Sequence, residues 1–139
     1  MKSTLILDCS ITMAWCFSDE KTPRSEQVLD RLLTETEVVP VHWILEVSNV
    51  LAMAERRNRI QAGDAALFVR LLGELDLEID RDVSTNSIDH LLSLCRRHRL
   101  TSYDALDLEL ALRRNLPLAS LDRDLCHAAA ALGIDVITN

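Results

Sequence analysis

Asp8, Glu46, Asp104 and Asp122 are widely separated in the 139-residue chain, yet each stands near a junction between apolar segments. Asp8 ends the run Leu5-Ile6-Leu7, Glu46 follows the Val38-Val39 run by about one helical turn, Asp104 opens a helical segment, and Asp122 ends Leu118-Ala119-Ser120-Leu121. Each acid has a plain structural use. Asp104 is three residues after Thr101, the spacing of a capping box; Asp122 suits a helix N-cap; Asp8 can cap the turn beyond its strand; Glu46 can face water. Gathered in one crevice they would do something else, because converging carboxylates repel unless protons or cations intervene. A divalent cation is the natural remedy. Hard oxygen donors, with no thiolate or imidazole set at ligand spacing, favour Mg²⁺, with Mn²⁺ as a substitute. The chemistry of such a site is activation of water against a phosphodiester.

The elements that would bring these acids together alternate along the chain. Residues 4–7 read as a strand buried on both faces. Ser10 is a candidate N-cap for a helix over 11–17, and a second helix over 22–36 has Val28, Leu29, Leu32 and Leu33 as its buried stripe. Val38, Val39 and Val41 give a second strand, with Pro40 near its end. A helix over 43–59, and a further one after Ala62-Gly63-Asp64 that runs through about Leu72, precede a third strand at Leu77 and Ile79. Helices over 87–97 and 102–114 lead to a fourth strand over 118–121, a helix over 122–132 stopped by Gly133, and a last strand over 135–137. This alternation implies an α/β fold, a parallel sheet between helical layers, with ligands beyond the carboxyl ends of the strands.

Composition narrows the class. With 48% hydrophobic and 27% charged residues, the chain is expected to be a single domain over 1–139. No apolar run resembles a signal peptide or a membrane span, so the expectation is a cytoplasmic protein. Cys9, Cys16, Cys95 and Cys126 form no C-x-x-C pair and read as reduced, buried thiols. A net charge of −7 argues against binding nucleic acid through overall basicity. The arginines nevertheless gather locally, at 56, 57 and 59, at 96, 97 and 99, and at 113 and 114, where they would suit either phosphate oxygens or the carboxyl ends of helices. With aromatics at 4%, Trp15, Trp43 and Tyr103 are read as core rather than as base-stacking residues.

In order and spacing, the segments L-I-L-D-C-S at 5–10, E-V-S-N-V-L at 46–51, T-S-Y-D-A-L-D-L-E-L-A at 101–111 and L-A-S-L-D-R-D-L at 118–125 resemble the PIN-domain ribonucleases, and in particular the VapC-type toxins of toxin–antitoxin pairs. The resemblance implies a three-layer α/β/α PIN-like domain whose parallel sheet has about four to five strands. It implies an endoribonuclease using Mg²⁺, with Asp8, Glu46, Asp104 and Asp122 as the metal-binding acids, Asp8 and Asp104 chief among them. Ser10 matches a small hydroxyl position beside the first acid, Asn49 a polar position one turn after Glu46, and Ser120 a hydroxyl position that would hold Asp122 or a water. Its partners would be RNA, a small VapB-like antitoxin placing basic side chains in the acidic crevice, and a second copy of the chain in a homodimer. Asp107 departs from the pattern, standing where an apolar or aromatic residue is expected; it either reaches the crevice or faces solvent, and the solvent reading is preferred. Asp124 competes with Asp122, which strand-end register favours.

Three other readings are weaker. A phosphoacceptor receiver domain resembles this layout but has a late lysine, and none follows Lys21; a haloacid-type phosphatase has an aspartate where Ser10 stands. The third is a non-catalytic module whose acidic crevice grasps a basic partner. Nucleotide-cofactor binding is disfavoured because Gly63, Gly73 and Gly133 form no phosphate-cradling loop.

Overall fold

The computed structural model of the chain describes residues 2–138. Strand β1 (Ser3–Leu7) is followed by α1 (Cys9–Cys16), a 3-10 turn (Ser18–Glu20), α2 (Pro23–Arg31) and β2 (Thr36–Pro40). Helices α3 (Trp43–Arg56) and α4 (Ala62–Gly73) lead to β3 (Leu77–Asp80); α5 (Ile88–His98) and α6 (Ser102–Arg114) lead to β4 (Leu118–Ala119), and α7 (Arg123–Ala131) follows. The four strands form one parallel sheet in the order β3-β2-β1-β4.

Alternation along the strands feeds two cores. Leu5, Leu7, Val39 and Ala119 pack on Ile11, Met13, Trp43 and Val47, while Ile6, Val38 and Leu118 pack on Leu94, Leu108 and Leu125. With helices on both faces, β1 has no wet side, which is why it reads as a continuous apolar run. The chain moves outward from β1 through β2 to β3, then returns to place β4 on the other side of β1. Right-handed crossovers accordingly put α1 to α4 on one face and α5 to α7 on the other. The carboxyl ends of β1 and β4 flank this reversal, the place where open α/β sheets bind ligands. The Asp8 N–H donates to the Ala119 carbonyl across it at 3.0 Å.

Several boundaries differ from the sequence expectations. The helix expected over 22–36 ends at Arg31, because Thr36 is drawn into the sheet beside Ser3 and its hydroxyl donates to Asp76 at 2.5 Å. Leu33 is consequently exposed rather than part of the buried stripe. Ser10 is not an N-cap: α1 starts at Cys9, and the Ser10 hydroxyl is used elsewhere. Val41 lies in a turn, and α3 stops at Arg56. β4 is two residues long, and the expected last strand is reduced to a single bridge between Leu118 and Val136. Cys9 is buried, whereas Cys16, Cys95 and Cys126 are only partly so; all four are free.

Helix α6 is fixed at its carboxyl end by ion pairs to β3. Arg113 pairs with Asp80 and Glu109, and Arg114 with Glu78 and Asp80. Burial opposes ionisation of Asp80, but hydrogen bonds from both arginines and from the Asp82 backbone outweigh it and hold the carboxyl at about 2. With that end anchored, the first two turns of α6 project Asp104 and Asp107 toward the mouth of the sheet.

Candidate metal centre

The site is built from the ends of two strands and the start of α6. Asp8 follows β1 and is buried. Its Oδ2 accepts two hydroxyls, from Ser10 at 2.6 Å and from Ser120 at 2.7 Å. Ser10 and Ser120 also tie down the loop after β4: Leu121 N–H donates to Ser10 Oγ at 2.8 Å and Asp122 N–H to Ser120 Oγ at 3.0 Å. The two hydroxyls thus set the first acid and the path to the last. Ser120 holds Asp122 by its backbone, while its own proton goes to Asp8.

Asp8, Asp104 and Asp107 each offer a carboxylate oxygen, and these oxygens lie within 4.8 Å of one another. Asp107 is 1% exposed, and neither of its oxygens has a hydrogen-bond donor. It lies against Asp8, and two carboxyls bond to each other only if one carries a proton. Burial, reinforced by the charges of Asp8, Glu46 and Asp104, pushes Asp107 well above the usual carboxylate range. Burial also raises Asp8, against the lowering effect of the Ser10 and Ser120 hydroxyls, with Glu46 adding to the rise. Asp104 is pushed up to about 6, by burial first and then by Asp8, Asp122 and Glu46. The expectation that Asp107 faces solvent is therefore corrected. Residues 105–111 of α6 are all buried, so the helix has no wet face there on which an acid could sit.

Glu46 and Asp122 form the rim. Glu46 is in the first turn of α3, and its Oε1 is 3.1 Å from His42 Nε2. Asp122 does serve as an N-cap, its Oδ1 accepting from Leu125 N–H at 3.0 Å. Its charge also contributes to the rise of Asp104. The capping-box reading of Asp104 is only half met, since Thr101 Oγ1 accepts from Asp104 N–H at 3.4 Å but the Asp104 carboxylate makes no return bond. Asn49 is exposed on α3 and makes no side-chain hydrogen bond among the described residues. Asp124 is exposed and lines a different cleft, with His98, Arg99 and His127.

A donor set of hard carboxylate oxygens, one of them buried without a donor, fits a divalent cation and fits little else. The sequence of the chain decides what kind of protein has built it: the PIN domain profile matches residues 5–131. The chain belongs to the PIN domain family. PIN domains are generally metal-dependent nucleases, and they typically use divalent metals. Among solved structures, the chain is similar to PAE2754 from Pyrobaculum aerophilum, with 20% identity, a TM-score of 0.71, and coverage of 92% of this chain and 87% of that one. It is also similar to a domain of a functionally unknown protein from Methanocaldococcus jannaschii, with 17% identity, a TM-score of 0.56, and coverage of 97% and 89%. These likenesses concern the fold. No curated protein sequence matches the chain.

Two features of this PIN domain escaped the sequence reading. His42, in the turn that leads into α3, is 8% exposed and has no well-formed hydrogen bond at either ring nitrogen. Its signal was the i,i+4 spacing to Glu46. Tyr103 was read as core but is exposed on α6, whereas Trp43 is buried with its indole N–H on Thr12 and Trp15 is half-buried with its N–H on the Ser25 carbonyl. The arginine groups also divide. Arg59 is held by Asp19 and Glu20, and Arg113 and Arg114 by the β3 acids, while Arg56, Arg57, Arg96, Arg97 and Arg99 are exposed.

Proposed function

We propose that the chain is a Mg²⁺-dependent endoribonuclease, the toxin of a VapC-type toxin–antitoxin pair. The observation that carries the catalytic part is the buried Asp107 carboxylate, which has no donor and shares a 4.8 Å cluster with Asp8 and Asp104. Such a group costs stability unless a cation partners it. In this reading Asp8 and Asp104 hold the metal, with Asp107 as a further ligand and Glu46 and Asp122 acting directly or through water.

Mg²⁺ bound there, or Mn²⁺ in its place, supplies a water of lowered pKa and offsets negative charge on the phosphodiester. The protein's own part is placement. Ser10 and Ser120 fix Asp8 through Oδ2, and Asp122 is held by its own cap on α7. The exposed arginines at 56, 57, 96, 97 and 99 are the candidates for RNA phosphate contacts, which would weaken with salt.

An antitoxin of opposite charge would place a basic side chain among the same acids. The homodimer belongs to the proposal as well, with support from the exposed Ile44 and Leu45 of α3 and Leu67, Val69 and Leu71 of α4.

The test is cleavage of single-stranded and structured RNA by the purified chain in Mg²⁺, Mn²⁺ or EDTA. Asp8→Asn and Asp104→Asn variants, shown to be folded by circular dichroism, are expected to lose about 100-fold or more in rate. Variants that cut as fast as the parent would end the nuclease reading. A parent that binds Mn²⁺ but cuts no RNA would instead be the binding module.

A further inference from the structure

Tyr103 is the only tyrosine in the chain, and it is 60% exposed. It occupies the first turn of α6, immediately before Asp104, so its position is fixed by the same helix that aims the acid. The other large aromatics have conventional places: Phe17, Phe68 and Trp43 are buried, and Trp15 is half-buried with its indole N–H satisfied. Tyr103 has a different neighbour. The His42 ring lies 5.8 Å away, inclined at 51°. His42 is more than nine-tenths buried and its ring nitrogens lack a hydrogen-bond partner, with Nε2 only 3.1 Å from Glu46 Oε1. His42 thus joins Glu46 to Tyr103, and Tyr103 is the chain neighbour of Asp104, so the two rings lie beside the acidic cluster.

Within the ribonuclease reading above, we propose that Tyr103, braced by the tilted His42 ring, is the stacking platform for one unpaired nucleobase of the RNA beside the phosphodiester at the metal centre. A tyrosine ring offers a large, flat face and loses little side-chain freedom on binding. Its tilted contact with His42 limits its rotation without covering it. Single-stranded RNA presents unstacked bases, whereas a duplex keeps them inside, so the platform favours loops and single strands. Every base has a π-face, and the platform on its own tolerates any of them. Tyr103 is then a substrate-positioning residue: it sets which phosphodiester lies over the acids and takes no part in bond breaking.

The test uses the full chain with short single-stranded RNA carrying 2-aminopurine at successive positions, in EDTA and low salt so that no strand is cut. The parent and Tyr103→Phe should quench the fluorophore at one position. Tyr103→Ala should lose that quenching and bind the RNA roughly 5- to 150-fold more weakly. A matching series with one abasic nucleotide moved along the strand makes the assignment independent of the variant. The abasic position that weakens binding to the parent should have no further effect on Tyr103→Ala. In Mg²⁺ the loss should fall on KM more than on kcat. Unchanged quenching and affinity in Tyr103→Ala, with the parent binding RNA normally, would overturn the platform alone. A parent that neither binds nor cuts RNA would overturn the ribonuclease reading and the platform with it.

Discussion

The Asp107 side chain is buried with no hydrogen-bond donor when no metal is bound, and the consequences can be measured at that one residue. Asp107→Asn removes a buried, unpartnered carboxylate, so the metal-free variant should be more stable than the parent, by about 1–3 kcal/mol from the scale of an unsatisfied buried group. It should also bind Mn²⁺ more weakly. Thermal melts in EDTA and a Mn²⁺ titration would show both; lower stability in EDTA would mean that the carboxylate is satisfied in some other way. A related expectation concerns protons. Because Asp104 is pushed up to about 6 and burial holds Asp107 well above the usual carboxylate range, metal binding near pH 6 should displace protons. Calorimetric titration with Mn²⁺ in two buffers of different ionisation enthalpy should therefore give different apparent heats. Asp107 also marks where reading single residues from sequence falls short. Its i,i+3 spacing to Asp104 on one helical face was visible, but whether that face is wet depends on what packs around the helix, and α6 is enclosed over 105–111.

At the scale of elements, β1 and α6 were plain in the sequence because their local patterns agree with their tertiary surroundings. The junction between α2 and β2 was not. Leu32 and Leu33 extend the helical apolar spacing past Arg31, but the chain turns there and Thr36 pairs with β1. The same strand carries Glu37, which is fully buried with neither carboxylate oxygen hydrogen-bonded. Burial raises it from 4.5 to about 8, despite the opposing charge of Arg31, with Glu35 adding slightly to the rise. The folded protein therefore keeps a proton there that the unfolded chain has already lost. Stability from this residue is complete below the unfolded value of 4.5 and drains away as pH rises to about 8. The slope is about 1.4 kcal/mol per pH unit for one proton. Glu37→Gln should gain on the parent steadily between about pH 5 and pH 8 in denaturant melts. Parallel stability curves for the two proteins would show that Glu37 is ionised in the fold.

For the molecule as a whole, two sets of carboxylates pull the pH dependence in opposite directions. Asp80, held at about 2 in the fold, stabilises above its unfolded value of 3.8 and stops doing so as pH falls toward 2. Asp8, Asp104, Asp107 and Glu37 are all raised, and each costs stability as pH climbs. The metal-free protein should accordingly be most stable at mildly acidic pH, around pH 4–5. Saturating Mn²⁺ should reverse the upper part of the curve, because a bound cation rewards ionisation of the acids in the cluster and stabilises by about 2.7 kcal/mol at a hundredfold excess over Kd. Melting midpoints across pH with and without the ion would test this; two parallel curves would mean that the cluster is not where the ion binds.

The sheet has one more consequence, at its margins. On one side it closes with β4, a strand of two residues followed by a single bridge. On the other it closes with β3, where Glu78 and Asp80 are clamped by guanidinium groups. A foreign polypeptide looking for a row of open amides to zip onto would find little purchase at either border. Short, charge-flanked borders of this kind are poor templates for an added strand, and so for fibre growth.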